Sequence, residues 1–90
     1  MTEEFTAPKI EFPLDYGIKV VANAADGFQV SMEAIVRTHD PSFDTSTMVI
    51  SASKNGNYIS YRMRIWATGE AQLKAMFEDL KATGEVHFVL

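Results

Sequence analysis

Tyr58, Arg62, Arg64 and Trp66 stand at even positions of one stretch of chain, so on an extended strand they share one face. Lys19 belongs on the same face of a neighbouring strand, and His87 joins from an edge. Aromatic rings interleaved with cations are how some sheets stack the bases of single-stranded nucleic acid, and the same groups hold anionic ligands. Two plainer uses compete. Arginine stems cover apolar sheet surface while their heads stay in water, with Trp66 packed beside them and loop acids neutralising the pair. Trp and Arg are also enriched where proteins touch one another, so the face suits a partner or a second copy. The glycine-aromatic signature of RNA-binding sheets is absent, and the chain is acidic: 8 Lys and Arg against 12 Asp and Glu leave a net charge of −4. Binding of polyanions by counterion release needs a basic face, so nucleic acid is disfavoured against a protein contact or a solvated surface.

Other reactive side chains form no set. His39 closes a helical stripe and is read as a helix-end cation or a satisfied half-buried imidazole, since no acid or second His is placed to complete a site. His87 is similar. Glu3-Glu4, Asp40 and Asp44 lie on a leader and a loop, where solvation or capping is expected rather than the shared cleft that a catalytic carboxylate pair needs. The Ser and Thr residues from Thr45 to Asn57 lack a nucleophile context, and the turn at Gly56 is not a phosphate loop. The chain has no Cys, which excludes disulfides, thiolate metal sites and cysteine nucleophiles. No catalytic residues, metal or cofactor are therefore expected.

A chain of 90 residues is one domain with a modest core and little room for a deep pocket, so function belongs on a surface, in a shallow cleft or at a subunit contact. The start, Met1-Thr2-Glu3-Glu4-Phe5, is no secretory signal, and no apolar run approaches a membrane span. A cytoplasmic protein is expected.

The elements follow from periodicity. Residues 1 to 13 read as a loose leader, with Phe12 able to anchor it, and residues 14 to 90 as the domain. Asp15 to Ala24 is a strand with Ile18, Val20 and Ala22 inward. Asp26 and Gln29 read as a capping box before a helix whose apolar face is Phe28, Met32, Ile35, Val36 and His39, ended by Pro41. Asp44 to Ser53 is a moderately polar edge strand. Asn55-Gly56 supplies the positive φ angles of a hairpin turn. Tyr58 to Ala67 is a strand with Ile59, Tyr61, Met63, Ile65 and Ala67 inward. Thr68 caps a second helix with Glu70 in its first turn, a stripe of Leu73, Met76, Phe77 and Leu80, and Gly84 at its close. Glu85 to Leu90 is a last strand with Val86, Phe88 and Leu90 on one face. The order βαββαβ predicts an α+β, two-layer ferredoxin-like sandwich: a four-stranded antiparallel sheet, its first and third strands central, with both helices on one face.

Three segments in order also carry a family likeness. Phe12-Pro13-Leu14-Asp15-Tyr16-Gly17-Ile18-Lys19-Val20 resembles the F-P-x-x-Y-x-x-K-V opening of the YbeD-like proteins, small bacterial proteins of unknown function. Ser53-Lys54-Asn55-Gly56-Asn57-Tyr58-Ile59-Ser60 resembles their S-K-G-N-Y-x-S hairpin with one extra Asn, and Val86-His87-Phe88-Val89-Leu90 their V-x-x-V-L terminus. The resemblance runs from Phe12 to Leu90. It implies a ferredoxin-like fold similar in shape to ACT domains, which bind amino acids at subunit contacts. It also implies a metabolic or regulatory setting, since such genes often lie beside lipoate-attachment genes, and it assigns no catalytic residue.

The residues and the resemblance lead to a non-enzymatic regulatory or adaptor module that binds a protein partner or small metabolite, as a monomer or weak homodimer. Lys19, Tyr58, Arg62, Arg64 and Trp66 are its candidate binding residues. Single-stranded nucleic acid on the open sheet face is the alternative.

Overall fold

The structure, a computed structural model, describes residues 11–90. Most of the expected leader, residues 1–10, lies outside the described residues. The elements are β1 (Leu14–Asn23), α1 (Phe28–His39), a 3₁₀ turn (Thr45–Thr47), β2 (Val49–Ala52), β3 (Tyr58–Ala67), α2 (Glu70–Ala82) and β4 (Val86–Val89). The strands form one antiparallel sheet in the order β2-β3-β1-β4, with β1 and β3 central. This is the ferredoxin-like α+β sandwich expected from the sequence.

The two central strands set the layers. They pair in register over their whole length, from Leu14 with Ala67 to Asn23 with Tyr58. Strict alternation puts Ile18, Val20 and Ala22 of β1 and Tyr61, Met63, Ile65 and Ala67 of β3 into the core. There they meet Phe28, Met32 and Val36 of α1 and Leu73, Met76 and Leu80 of α2. Each large side chain buried this way contributes about 1.5–3 kcal/mol. Phe12 packs half-buried against the same core. The opposite residues of β1 and β3 have no layer above them.

Both helix starts differ from expectation. Gly27 occupies the N-cap of α1 and no side chain caps it, because Asp26 stands one residue too early. Gln29 donates instead to Glu33, along the helix surface. Gly69, not Thr68, is the N-cap of α2. The Thr68 N–H donates to Gln72 Oε1 at 2.8 Å, so the reach back comes from inside the helix. The close at Gly84 is as expected: its φ of +81° turns the chain, and its N–H returns to the Lys81 carbonyl at 3.1 Å.

Three corrections concern the strands. β2 is short, because Asp44 accepts from the Ser46 N–H and hydroxyl at 2.9 and 2.7 Å and winds Thr45–Thr47 into the 3₁₀ turn. It does lie at the sheet edge. In the hairpin only Gly56 is left-handed, with φ +74°; Asn55 keeps a negative φ. The turn is closed by Gly56 N–H to the Ser53 carbonyl and Ser53 N–H to the Tyr58 carbonyl. In β4 the pairs Val21 with Phe88 and Ala22 with Val86 leave His87 as an extra residue, a β-bulge. The bulge breaks the alternation, so Val86 and Val89 pack on the core while Phe88 faces away from it with Val21.

Candidate functional site

The open face of the sheet is the candidate site. All five expected residues lie on it: Lys19 is the register partner of Arg62, and Tyr58, Arg64 and Trp66 alternate with the buried residues of β3. They do not converge on one pocket. Tyr58 and Trp66 are eight residues apart, about 26 Å along the strand. The face has three parts.

At one end Trp66 is 48% exposed, beside a groove lined by Asp15, Asp40, Ser42 and Asp44. Asp40 is the buried charged side chain among the described residues. Its Oδ2 accepts the Trp66 backbone N–H at 2.8 Å, and its Oδ1 accepts from the Ser42 N–H and hydroxyl at 3.0 and 2.6 Å. It is therefore a brace between the α1 exit and the end of β3. Hydrogen bonds from the Ser46 hydroxyl, and then from the Ser46 N–H, hold the Asp44 carboxyl below its ordinary value. These acids bind backbone, as the capping reading expects, rather than pairing with one another.

Next to it, Arg64 crosses β1 to Asp15. Its Nε lies 3.2 Å from Oδ1 and its Nη2 3.2 Å from Oδ2. Lys19 and Arg62 come next, in a shallow cleft with Gly17, Thr47, Val49 and Leu90. Among the described residues neither makes an ion pair.

At the far end the Tyr58 and His87 rings meet edge to face at 4.7 Å, above Val21 and Phe88. His87 Nε2 stands 2.6 Å from Asn23 Oδ1, and the Asn23 amide donates to Glu85 at 3.0 Å. The Asn23 amide thus presents its oxygen to His87, and Nε2 is the donor. The bulge is what brings His87 over the face.

His39 departs from the sequence expectation that no acid is placed beside it. α2 brings Asp79, whose Oδ2 lies 2.6 Å from His39 Nε2. A separation of 40 residues hides such a pair from spacing arguments. Gln72 is a second unforeseen group: its amide donates to the His39 and Trp66 carbonyls at 2.8 and 3.0 Å, joining both helices to the end of β3. His39 and Asp79 tie the two helices together, and Gln72 ties both to the sheet.

Among the described residues no three His, Asp or Glu side chains gather as a metal-ligating group, and no helix is long and apolar enough to cross a membrane. The arrangement offers apolar contact and positive charge on the sheet face.

Comparison with known proteins agrees with this frame. The solution structure of protein HP0495 from H. pylori superposes with a TM-score of 0.79 at 18% identity, covering 100% of this chain and 94% of that one. The ACT domain of GTP pyrophosphokinase from Chlorobium tepidum superposes with a TM-score of 0.62 at 20% identity, over 86% of this chain and 97% of that one. At these identities the likeness concerns the fold alone. Sequence relatives are nearer. A UPF0250 protein of Ectopseudomonas mendocina is 46% identical over 84 residues, which are 92% of this chain and 91% of the relative. One of Pseudomonas paraeruginosa is 43% identical over 90 residues, 99% of this chain and 97% of the relative. A family model described as a protein of unknown function (DUF493) matches residues 7–90. The chain belongs to this DUF493 family of proteins of unknown function, and the UPF0250 proteins are among its sequence relatives.

Proposed function

We propose that the chain is a non-enzymatic adaptor or regulatory module, and that the open face of its sheet is the surface a partner protein covers. One observation carries this reading. Of the seven large apolar side chains most exposed among the described residues, five (Val49, Tyr58, Trp66, Phe88 and Leu90) lie on that face. An apolar face interspersed with cations is what a protein contact uses: the apolar groups give up water and the charges fix orientation. The inner faces of both helices are already committed to the core.

Nucleic acid fits the same face less well. Arg64 is neutralised by Asp15, and the Trp66 end is lined by Asp15, Asp40 and Asp44, which would repel a phosphate backbone.

The test is quantitative capture of partners from a bacterium that carries a UPF0250 protein. Parent chain, the double variant Trp66→Ser with Phe88→Ser, and Val30→Ser on the outer surface of α1 are compared. Partners lost from the double variant and kept by Val30→Ser support the reading. Partners kept equally by all three overturn it, and RNA recovered in their place, lost on Arg62→Glu with Arg64→Glu, selects the nucleic-acid alternative.

A further inference from the structure

At the centre of the open face two like charges stand directly opposite each other. Lys19 of β1 and Arg62 of β3 are register partners and point the same way. Like charges in that position repel, and sheets ordinarily place an acid across from a cation. Arg64 shows the ordinary solution, with Asp15 supplied for it. Neither Lys19 nor Arg62 is paired with an acidic side chain among the described residues, although the chain as a whole is acidic, with a net charge of −4. The cleft they line with Gly17, Thr47, Val49 and Leu90 contains no carboxylate side chain.

The side chains that flank the pair are apolar on both sides. Val49 is the register partner of Arg62 on β2. Leu90, one residue past β4, exchanges backbone hydrogen bonds with Lys19 at 3.0 and 2.9 Å. A row Leu90, Lys19, Arg62, Val49 therefore crosses all four strands. Strands lie about 4.8 Å apart, so the midpoint of the two cations is about 7 Å from each flanking strand. In an extended chain, residues on one side recur every 6.8 Å or so. An extended segment laid across the strands would put one residue over the cations and the residues two before and two after it over Leu90 and Val49.

We propose that the Lys19–Arg62 pair receives the carboxylate of an Asp or Glu in an extended partner segment, with apolar residues two positions to either side. This rests on the reading of the open face as a partner surface and names the chemistry of what binds there. The segment supplies the counter-charge that the sheet lacks, and its apolar neighbours cover Val49 and Leu90.

The experiment is an amide NMR titration of the full labelled chain with a blocked heptapeptide, Ser-Leu-Ser-Glu-Ser-Leu-Ser, and with its analogue carrying Gln for Glu. The expected result is shifts centred on Lys19, Arg62, Val49 and Leu90, at least about tenfold weaker affinity for the Gln peptide, a difference of about 1.4 kcal/mol, and loss of that difference in Lys19→Gln with Arg62→Gln. Equal affinity for the two peptides, or no shifts at these residues, overturns the proposal. Acetate or inorganic phosphate binding the pair as tightly as the Glu peptide also overturns it, since a small anion alone then fills the site. The partner-capture comparison separates the two readings. Capture that depends on Trp66 and Phe88 but survives Lys19→Gln with Arg62→Gln removes the acidic segment and leaves the partner surface standing. Capture indifferent to both sets removes both.

Discussion

The Arg64 guanidinium lies over Gly17 on its way to Asp15. A β-carbon built on Gly17 would stand 2.8 Å from Arg64 Nη1 and 3.5 Å from its Cζ. Gly17 is the register partner of Arg64, and Asp15 is the next residue of β1 on the same face. The missing side chain thus opens the path by which a cation of one central strand reaches an acid of the other. The pair is exposed, so it contributes no more than about 1 kcal/mol to stability. Its larger effect is on the charge of the face, which loses one of its cations to Asp15.

Gly17→Ala is expected to fold and to melt near the parent, because the displaced atoms are the end of a flexible side chain. Arg64 should leave Asp15. The Arg64 side-chain Nε–Hε signal in an NMR spectrum should then move to the position it takes in Asp15→Asn. A signal unmoved in Gly17→Ala means that Arg64 reaches Asp15 by another path.

Asp40→Ala is expected to cost about 1–3 kcal/mol in thermal or urea unfolding, mostly through the Trp66 N–H, since Ser42 is exposed and water replaces its bonds. The substitution removes the acceptor of the Trp66 and Ser42 N–H groups and of the Ser42 hydroxyl at a site 3% exposed. Each donor left unsatisfied costs about 1–3 kcal/mol. Trp66→Ala nearby removes an exposed ring and leaves its backbone bond intact, so it should cost far less. Equal losses in the two variants would show that Asp40 does not brace this end of β3.

The strand phase of β1 and β3 was legible because Ile18, Val20, Ala22, Tyr61, Met63, Ile65 and Ala67 alternate without a break and the pairing has no bulge. The same rule failed in β4, where the bulge at His87 sends Phe88 to the open face. Nothing local in Val86–Val89 distinguishes a bulged strand from a regular one; the partner strand decides. Asp26 and Thr68 are sound capping residues by type, yet each precedes a glycine that takes the cap position itself. In the site, the shared face of Lys19, Tyr58, Arg62, Arg64 and Trp66 followed from alternation alone. That Asp15 would take Arg64 and leave Arg62 depends on register across two strands, and on the room at Gly17. The pairing of His39 with Asp79 depends on how two helices cross.

Tyr61 links the core to pH. The residue is buried in the core, and desolvation raises its pKa above the ordinary 10.0. The folded state then holds the proton more tightly than the unfolded chain. The contribution to stability is fully present below pH 10 and is lost as pH rises above it. Alkaline unfolding should therefore set in above that pH and be delayed in Tyr61→Phe, which keeps the ring packed on Phe28 at 5.8 Å. At neutral pH Tyr61→Phe should melt close to the parent. Tyr61→Ala and Ile65→Ala should each lose about 2–5 kcal/mol, since both side chains face the helices. Parent-like melting of both alanine variants would put the wrong face of β3 against the helices.

Lys19→Gln is expected to stabilise the free protein. It shortens the side chain by one atom and removes one of two like charges that stand opposite each other. Repulsion of that kind costs about 0.2–1 kcal/mol, which for a domain of this size is a rise in Tm of about 1–8 °C. Salt should bring the parent and the variant closer. Added NaCl screens the repulsion in the parent and has less to screen in the variant, so the gap should narrow between low and moderate ionic strength. Arg62→Gln should behave the same way, and the double variant should gain less than the sum, because the second change finds no repulsion left to relieve. A lowered Tm in both single variants would mean that each cation is stabilised by the fold as it stands, and the face would then have no charge waiting for a partner.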